Sequence, residues 1–336
     1  MGFDIMLYIE PESTDAAFHF SVEEYIVRDY PWNTPVMMIW QADKCAMLGS
    51  NQIAEAEIDM SRAAREGIKI VRRSSGGGTI FTDMGTLLYT VILPDAKERY
   101  PLDLAREKVA GPVVEALNKM GVPAKAEGRN DILVNGKKVS GMAQYVRHGR
   151  ICTHGSLLYD ADLDLLSRVL RVDDEKISSK ALRSIRSRVT NIKEYIGRPC
   201  STGEFRELLK QNLFCGLDIK EHKLSDRDHQ QIGQIFREKY GNPSWTFEQS
   251  PKFSFHNSKR FAGGKVEVFL DVVKGTIASC SIRGDFLGVV PIQGIEQAIV
   301  GLPFRFDAIA GALDRVPMQP YLGNITKEEL LSCIFD

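Results

Sequence analysis

The sequence predicts mixed helices and strands in two units, the second a small α+β unit at the C-terminal end, and three observations carry that prediction. A chain of 336 residues exceeds what one core usually holds, because single domains stop growing at roughly 250–300 residues. Helical and strand patterns alternate through the first two thirds. A cluster of Gly, Asn, Pro and Ser at 241–250 (GNPSWTFEQS) then precedes a fresh run of strands, so the boundary is placed there, with one domain over 1–245 and another over 250–336.

The elements follow in order. From Thr14, read as the N-cap, Phe18, Val22, Tyr25 and Ile26 recur at i, i+4, i+7 and i+8 and define one buried helix face. Residues 36–40 (VMMIW) read as a buried strand, 55–66 as a helix stopped by Gly67, 68–71 and 79–82 as strands either side of a glycine loop, and 86–93 (TLLYTVIL) as a further strand. Residues 102–120 are helical up to Gly121. In DILVNGKKVSG (131–141), two strand runs are joined by Asn135-Gly136, the pair a type I′ hairpin turn favours. A strand at 155–159 and helices at 204–214 and 225–239 complete the first unit. The second reads as a strand meander, 265–272 and 276–282, around Lys274-Gly275, then helices near 291–300 and 304–313. It holds no catalytic constellation, and no internal repeat appears.

Composition narrows the function. Lys and Arg total 43 against 44 Asp and Glu, so a net charge of −1 gives no global field toward nucleic acid or an anionic membrane. Recognition must be local. No basic-then-apolar leader and no run of about 20 apolar residues is present, and the reading is cytoplasmic. The six cysteines lack a C-x-x-C pair and no two of the six histidines stand at i,i+4 with a glutamate beside them, so spacing offers reduced thiols and no zinc site.

The chemistry gathers in a few stretches. In RRSSGGGTIFTDMGT (72–86), three glycines let a ligand approach the backbone, and their amides can face phosphate or carboxylate oxygens. Arg72 and Arg73 would add charge. The alternative is a flexible turn with solvated arginines, and neither G-x-x-x-x-G-K-[ST] nor G-x-G-x-x-G is present. With a two-residue turn, Val134 pairs with Lys137 and Ile132 with Val139 on one face of the hairpin, while Leu133 pairs with Lys138 and Asp131 with Ser140 on the other. Asp131 and Lys138 then share a face, which suits metal-assisted phosphoryl or nucleotidyl chemistry; an exposed cross-strand ion pair is the competing account. In ICTHGSLL (151–158), Cys152 and His154 would project together as a thiol and base, or stand as a buried cysteine and a histidine satisfied by backbone groups. SIRSRVTN (184–191) is either an anion-binding loop or a solvated basic helix end.

In this order, RRSSGGGTIFTD, GRNDILVNGKKVSG (128–141), HGSLL (154–158) and RSRVTN (186–191) resemble the lipoate-protein ligases, over nearly the whole chain. The resemblance implies an α+β fold: a mixed-sheet catalytic domain of the biotin and lipoate ligase kind, followed by a small C-terminal α+β domain. It implies ATP and lipoate as substrates, Mg²⁺, and a lipoyl-accepting carrier protein, either a 2-oxoacid dehydrogenase lipoyl domain or a glycine-cleavage H protein. Carried over by motif, lipoate binding falls on Arg72, Arg73, Ser74, Ser75, Gly76, Gly77, Gly78, Lys138, His154 and Gly155. ATP binding falls on Arg73, Gly78, Thr79, Ile80, Phe81, Asn130, Asp131, Lys138 and Lys180. Lys138 is the implied catalytic lysine and Asp131 the implied Mg²⁺ ligand. The chain departs from the family pattern at Thr82 and Thr86, where many relatives carry His and Asn. Rival functions are an ATP-independent octanoyl or lipoyl transfer through a Cys152 thioester, and a non-catalytic lipoate or nucleotide sensor.

Overall fold

The computed structural model describes residues 5–10, 12–31, 34–94, 106–128, 130–171, 187–247 and 253–335. The strands are β1 (Ile5–Tyr8), β2 (Val36–Trp40), β3 (Cys45–Leu48), β4 (Lys69–Arg72), β5 (Ile80–Thr82), β6 (Thr86–Pro94), β7 (Ala124–Glu127), β8 (Asp131–Val134), β9 (Lys137–Arg147), β10 (Arg150–Leu158), β11 (Asp218–Glu221), β12 (Phe255–Phe261), β13 (Gly264–Val273) and β14 (Thr276–Gly284). Eight of them form one mixed sheet in the order β11-β1-β2-β6-β10-β9-β8-β7, in which β1 runs parallel to both β11 and β2 and the other pairs are antiparallel. A smaller sheet, β4-β3-β5, carries the glycine loop between its outer strands.

The large sheet is covered on both faces, which is why VMMIW and TLLYTVIL read as unbroken apolar runs. Met37 and Ile39 of β2, with Leu87, Tyr89 and Val91 of β6, face one cluster that includes Phe205 and Leu209 of the helix Thr202–Phe214. Val36, Met38 and Trp40, with Leu88 and Ile92, face the other, under the helix α1 (Ala16–Arg28). The antiparallel sheet β12-β13-β14 builds a third cluster with the helices that follow it, including Ile295, Ile309 and Leu330.

Several elements differ from the sequence reading. The N-cap of α1 is Asp15, whose carboxylate accepts from the Ala17 amide at 2.8 Å, not Thr14. The helix expected over 55–66 is two short ones, Ala54–Glu57 and Met60–Arg65. Ile58 leaves the spiral to bridge Leu170, and Asp59 restarts it by capping Arg62. Gly67, at φ 64°, ends the second as expected. The hairpin turn has Asn135 at φ 50° and Gly136 at φ 77°, and Val134–Lys137 and Leu133–Lys138 pair as expected; beyond them a bulge shifts Ile132 onto Ser140 and Asp131 onto Gly141. The stretch read as a linker forms the helix Pro243–Phe247, packed on β4 through Arg72. The start of the 102–120 helix at 102–105, and positions 248–250, lie outside the described residues.

Candidate active site

β4 delivers Arg72 and Arg73 to the loop, and their guanidiniums point into the protein. Arg72 is fully buried: it donates to the carbonyls of Gly49 (2.8 Å), Gln52 (2.6 Å), Trp245 (3.0 Å) and Thr246 (2.6 Å). It braces the loop and does not line the cavity described below, whereas the family resemblance implies a lipoate contact for it. Arg73 donates to the Met47, Gly76 and Gly78 carbonyls and to Ser75 Oγ at 2.8–3.0 Å, curling the backbone around itself. Burial pulls its guanidinium down to about 10, so it remains a cation at neutral pH. Gly77 sits at φ 88°, and a Cβ on neighbouring Gly49 would lie 2.0 Å from its carbonyl oxygen, so the arc closes only without side chains.

The hairpin faces this arc. Lys138 Nζ lies 2.8 Å from Asp131 Oδ1, both side chains partly exposed. Gly141 explains how they meet across the bulge. A Cβ there would come within 2.9 Å of the Lys138 ammonium, so the final glycine of K-V-S-G lets the lysine lie across the strand. Asn130 folds back, its amide donating to the Met142 carbonyl at 2.7 Å. The 186–191 stretch arrives at the same lysine: Val189 bridges Lys138, and the Thr190 amide donates to the Lys138 carbonyl at 3.1 Å. Arg188 is exposed, while Arg129, Lys180 and Arg186 lie outside the described residues.

One cavity unites these parts. Arg73, Gly77, Gly78, Thr79 and Ile80 line one side, Asn130, Lys138, His154 and Gly155 another, and Phe20, Trp40, Met47, Leu88, Met142 and Leu287 give it an apolar interior. Of the other expected contacts, Phe81 is packed in the core beside Ala46 and Leu158, and Gly76 sits beneath the Phe286 carbonyl. Ser74 turns toward Glu24, Lys239 and Tyr240. Thr82 and Thr86 are buried off the cavity, and Thr86 Oγ1 lies 3.5 Å from Asp83 Oδ1.

Beneath the cavity runs a buried polar array. Ser75 Oγ is 2.6 Å from His154 Nε2, His154 Nδ1 is 3.0 Å from Glu23 Oε2, Thr90 Oγ1 donates to Glu23 Oε1 at 2.6 Å, and Trp40 Nε1 donates to Thr90 at 3.0 Å. Since Arg73 donates to Ser75 Oγ, the array is satisfied with the proton of His154 on Nδ1 and Nε2 accepting from the serine. His154 is thus held by side chains, not by the backbone groups expected. Cys152 lies close enough for Glu23, Cys152 and His154 to bring one ligand atom each within 4.8 Å of one another, a grouping that chain spacing could not reveal. Burial, with Glu23 and Glu24 nearby, pushes the Cys152 thiol well above its ordinary range, opposite to what a thioester-forming nucleophile needs. Sequence reasoning missed Glu23 and Glu24. Their signal was two carboxylates between Val22 and Tyr25, on a helix buried almost all round.

Comparison with known proteins decides the family. Residues 15–214 match the lipoyl protein ligase A/B catalytic domain, and residues 250–334 match the bacterial lipoate protein ligase C-terminus. The chain belongs to the lipoate-protein ligase family. This ligase is 37% identical to the lipoate-protein ligase LplJ of Bacillus subtilis over 334 residues, which cover 98% of this chain and all of that one. Its fold matches a bi-partite lipoate protein ligase of Thermoplasma acidophilum, described with its E2 lipoyl domain, at a TM-score of 0.66 and 26% identity over 75% of this chain and 99% of that one. At 21% identity, P. falciparum LipL1 in complex with lipoate shares the fold over 97% of both chains, with a TM-score of 0.77.

Proposed function

We propose that this ligase activates lipoate with ATP to lipoyl-AMP and passes the lipoyl group to a lysine of a carrier protein. The observation that carries the reading is Lys138, ion-paired with Asp131 and itself on the wall of a largely apolar cavity, opposite an arc of glycine backbone and Arg73. Lipoate's carboxylate attacks the α-phosphate, pyrophosphate leaves, and the carrier amine then attacks the mixed anhydride and expels AMP. The Lys138 ammonium offsets charge growing on the α-phosphate and the acyl oxygen. Thr79 and Ile80 place the nucleotide, and the apolar wall from Phe20 to Leu287 takes the acyl chain. Asp131 supplies the hard, partly exposed carboxylate that Mg²⁺ accepts alongside substrate phosphates, and the ion would neutralise triphosphate charge. Glu23, Cys152 and His154 offer a softer, buried donor set unsuited to it.

The carrier is a lipoyl domain or a glycine-cleavage H protein. The catalytic domain is 1–245 and the accessory domain 250–336, a division supported by the two family matches and the separate third cluster. A cytoplasmic site of action agrees with six free cysteines, and no helix among the described residues is long and apolar enough to cross a membrane. The test is mass spectrometry of candidate carriers incubated with the protein, ATP, Mg²⁺ and lipoate, beside pyrophosphate release by Lys138→Ala. A lipoyl gain on one carrier lysine, and loss of release in a variant with unchanged circular dichroism, are expected. Normal release by Lys138→Ala would remove the lysine from its role; a wild type that binds ATP or lipoate yet releases nothing would be a sensor.

A further inference from the structure

Three consecutive glycines offer the loop no side-chain packing of their own, so beyond the curl that Arg73 imposes it is fixed by groups that reach in from outside. Besides the contacts from His154 and Phe286, two anchors come from Phe236–Phe247, a stretch outside either family match. At Arg72 the grip is mutual: the guanidinium takes the Trp245 and Thr246 carbonyls, and Trp245 Nε1 donates back to the Arg72 carbonyl at 2.9 Å. At Ser74 the hydroxyl lies 2.6 Å from Tyr240 Oη and receives Lys239 Nζ at 2.9 Å. The two anchors bracket Arg73, the residue that curls the glycine arc and lines the cavity.

We propose that Phe236–Phe247 sets the shape of the glycine loop, with Lys239, Tyr240 and Trp245 acting as positioning residues for lipoate; the lipoate clause rests on the ligation reading above. Lys239 makes the proposal readable through pH. Its ammonium also bonds Glu24 Oε2 at 2.9 Å, and it sits 4.5 Å from the Trp245 ring centre and 4.8 Å from that of Tyr240. The charged groups around it are Glu24 and Arg28 on α1 and Arg147 on β9. Burial, helped by the two arginines and opposed by Glu24, pulls the Lys239 ammonium down to about 8.

The experiment uses the full chain as wild type, Lys239→Met, Lys239→Arg, Tyr240→Phe and Trp245→Phe. Pyrophosphate release is measured against lipoate and ATP, between about pH 7 and about 9.5, to span the Lys239 titration. Near neutral pH, Lys239→Met raises the lipoate KM about tenfold while kcat and the ATP KM stay within about twofold, the signature of lost ground-state binding. The wild-type lipoate KM climbs as pH passes about 8; Lys239→Met shows no such step, and Lys239→Arg keeps the low KM throughout. Equal rises in both KM values, or an unchanged lipoate KM beside a lowered melting temperature, would reduce the segment to a structural prop. If the wild type releases no pyrophosphate, the ligation reading fails and amide hydrogen exchange decides the positioning role. Amides from Ser74 to Gly78 then exchange about tenfold faster in Lys239→Met, Tyr240→Phe and Trp245→Phe, with β6 and β10 unaffected. Unchanged loop exchange would overturn it.

Discussion

Lys138 owes its place to one parity argument and one glycine. The turn at Asn135-Gly136 sends adjacent lysines to opposite faces, and Gly141 clears the path to Asp131. Lys137→Ala is therefore expected to leave pyrophosphate release within about twofold of wild type, because an exposed strand lysine contributes little. A loss matching that of Lys138→Ala would mean that the register argument chose the wrong side. Lys138 could be read from sequence because turn chemistry is local. Arg72 could not: whether a guanidinium meets a ligand or braces a loop depends on carbonyls at Trp245 and Thr246, far along the chain. The same limit hid His154's partners, since Glu23 and Ser75 come from two other elements.

Elements whose apolar runs are covered on both faces, β2 and β6, were legible end to end, because burial leaves little choice of residue type. β12, longer than β2 but with no fully buried residue, carried no comparable signal. β10 adds a packing constraint: Gly155 lies opposite Tyr89, and a Cβ there would fall 2.4 Å from the ring carbon Cζ. Gly155→Ala should lower stability by about 1–3 kcal/mol in urea unfolding, with Tyr89→Leu restoring part of it. No loss would mean that β6 and β10 part more easily than their pairing implies. On α1, burial alone would push the Glu24 carboxyl up, but Lys239, Arg147 and the Tyr240 hydroxyl more than reverse it, and the group sits below the usual carboxylate range. Its stabilising contribution is whole above that range and is lost as pH falls through the lowered value. Glu24→Ala should thus lose about 2–4 kcal/mol at neutral pH by stranding Lys239 and Arg147, and a smaller share in acid; a loss that does not vary with pH would count against the ion-pair account.

Across the whole molecule, the two family matches meet at the glycine loop rather than merely following one another. Gly77 N–H donates to the Phe286 carbonyl at 3.0 Å, and Val146 N–H to the Val289 carbonyl at 2.6 Å. The stretch around Pro243 reads as a boundary from composition, which marks where a chain turns but not what the turn holds. Global stability carries the mark of that stretch as well. Folded Lys239 holds its proton less firmly than the unfolded chain does, so its cost is present below about pH 8 and fades as pH rises from there toward the ordinary lysine value. Wild type should therefore gain stability relative to Lys239→Met over that window in urea denaturation at stepped pH. Parallel curves would remove the buried ammonium as the cause.

Leu287, a residue of the C-terminal family match, forms part of the cavity's wall, while the floor and the opposite wall belong to the catalytic match. Occupancy of that cavity in consequence draws on residues from both family matches. On a single chain, closing the wall is an intramolecular event at an effective concentration on the order of millimolar. Cut between the two, the same protein would have to reassemble its cavity from separate solutes, and its affinity for the acyl chain would come to depend on how much of each half was in the tube.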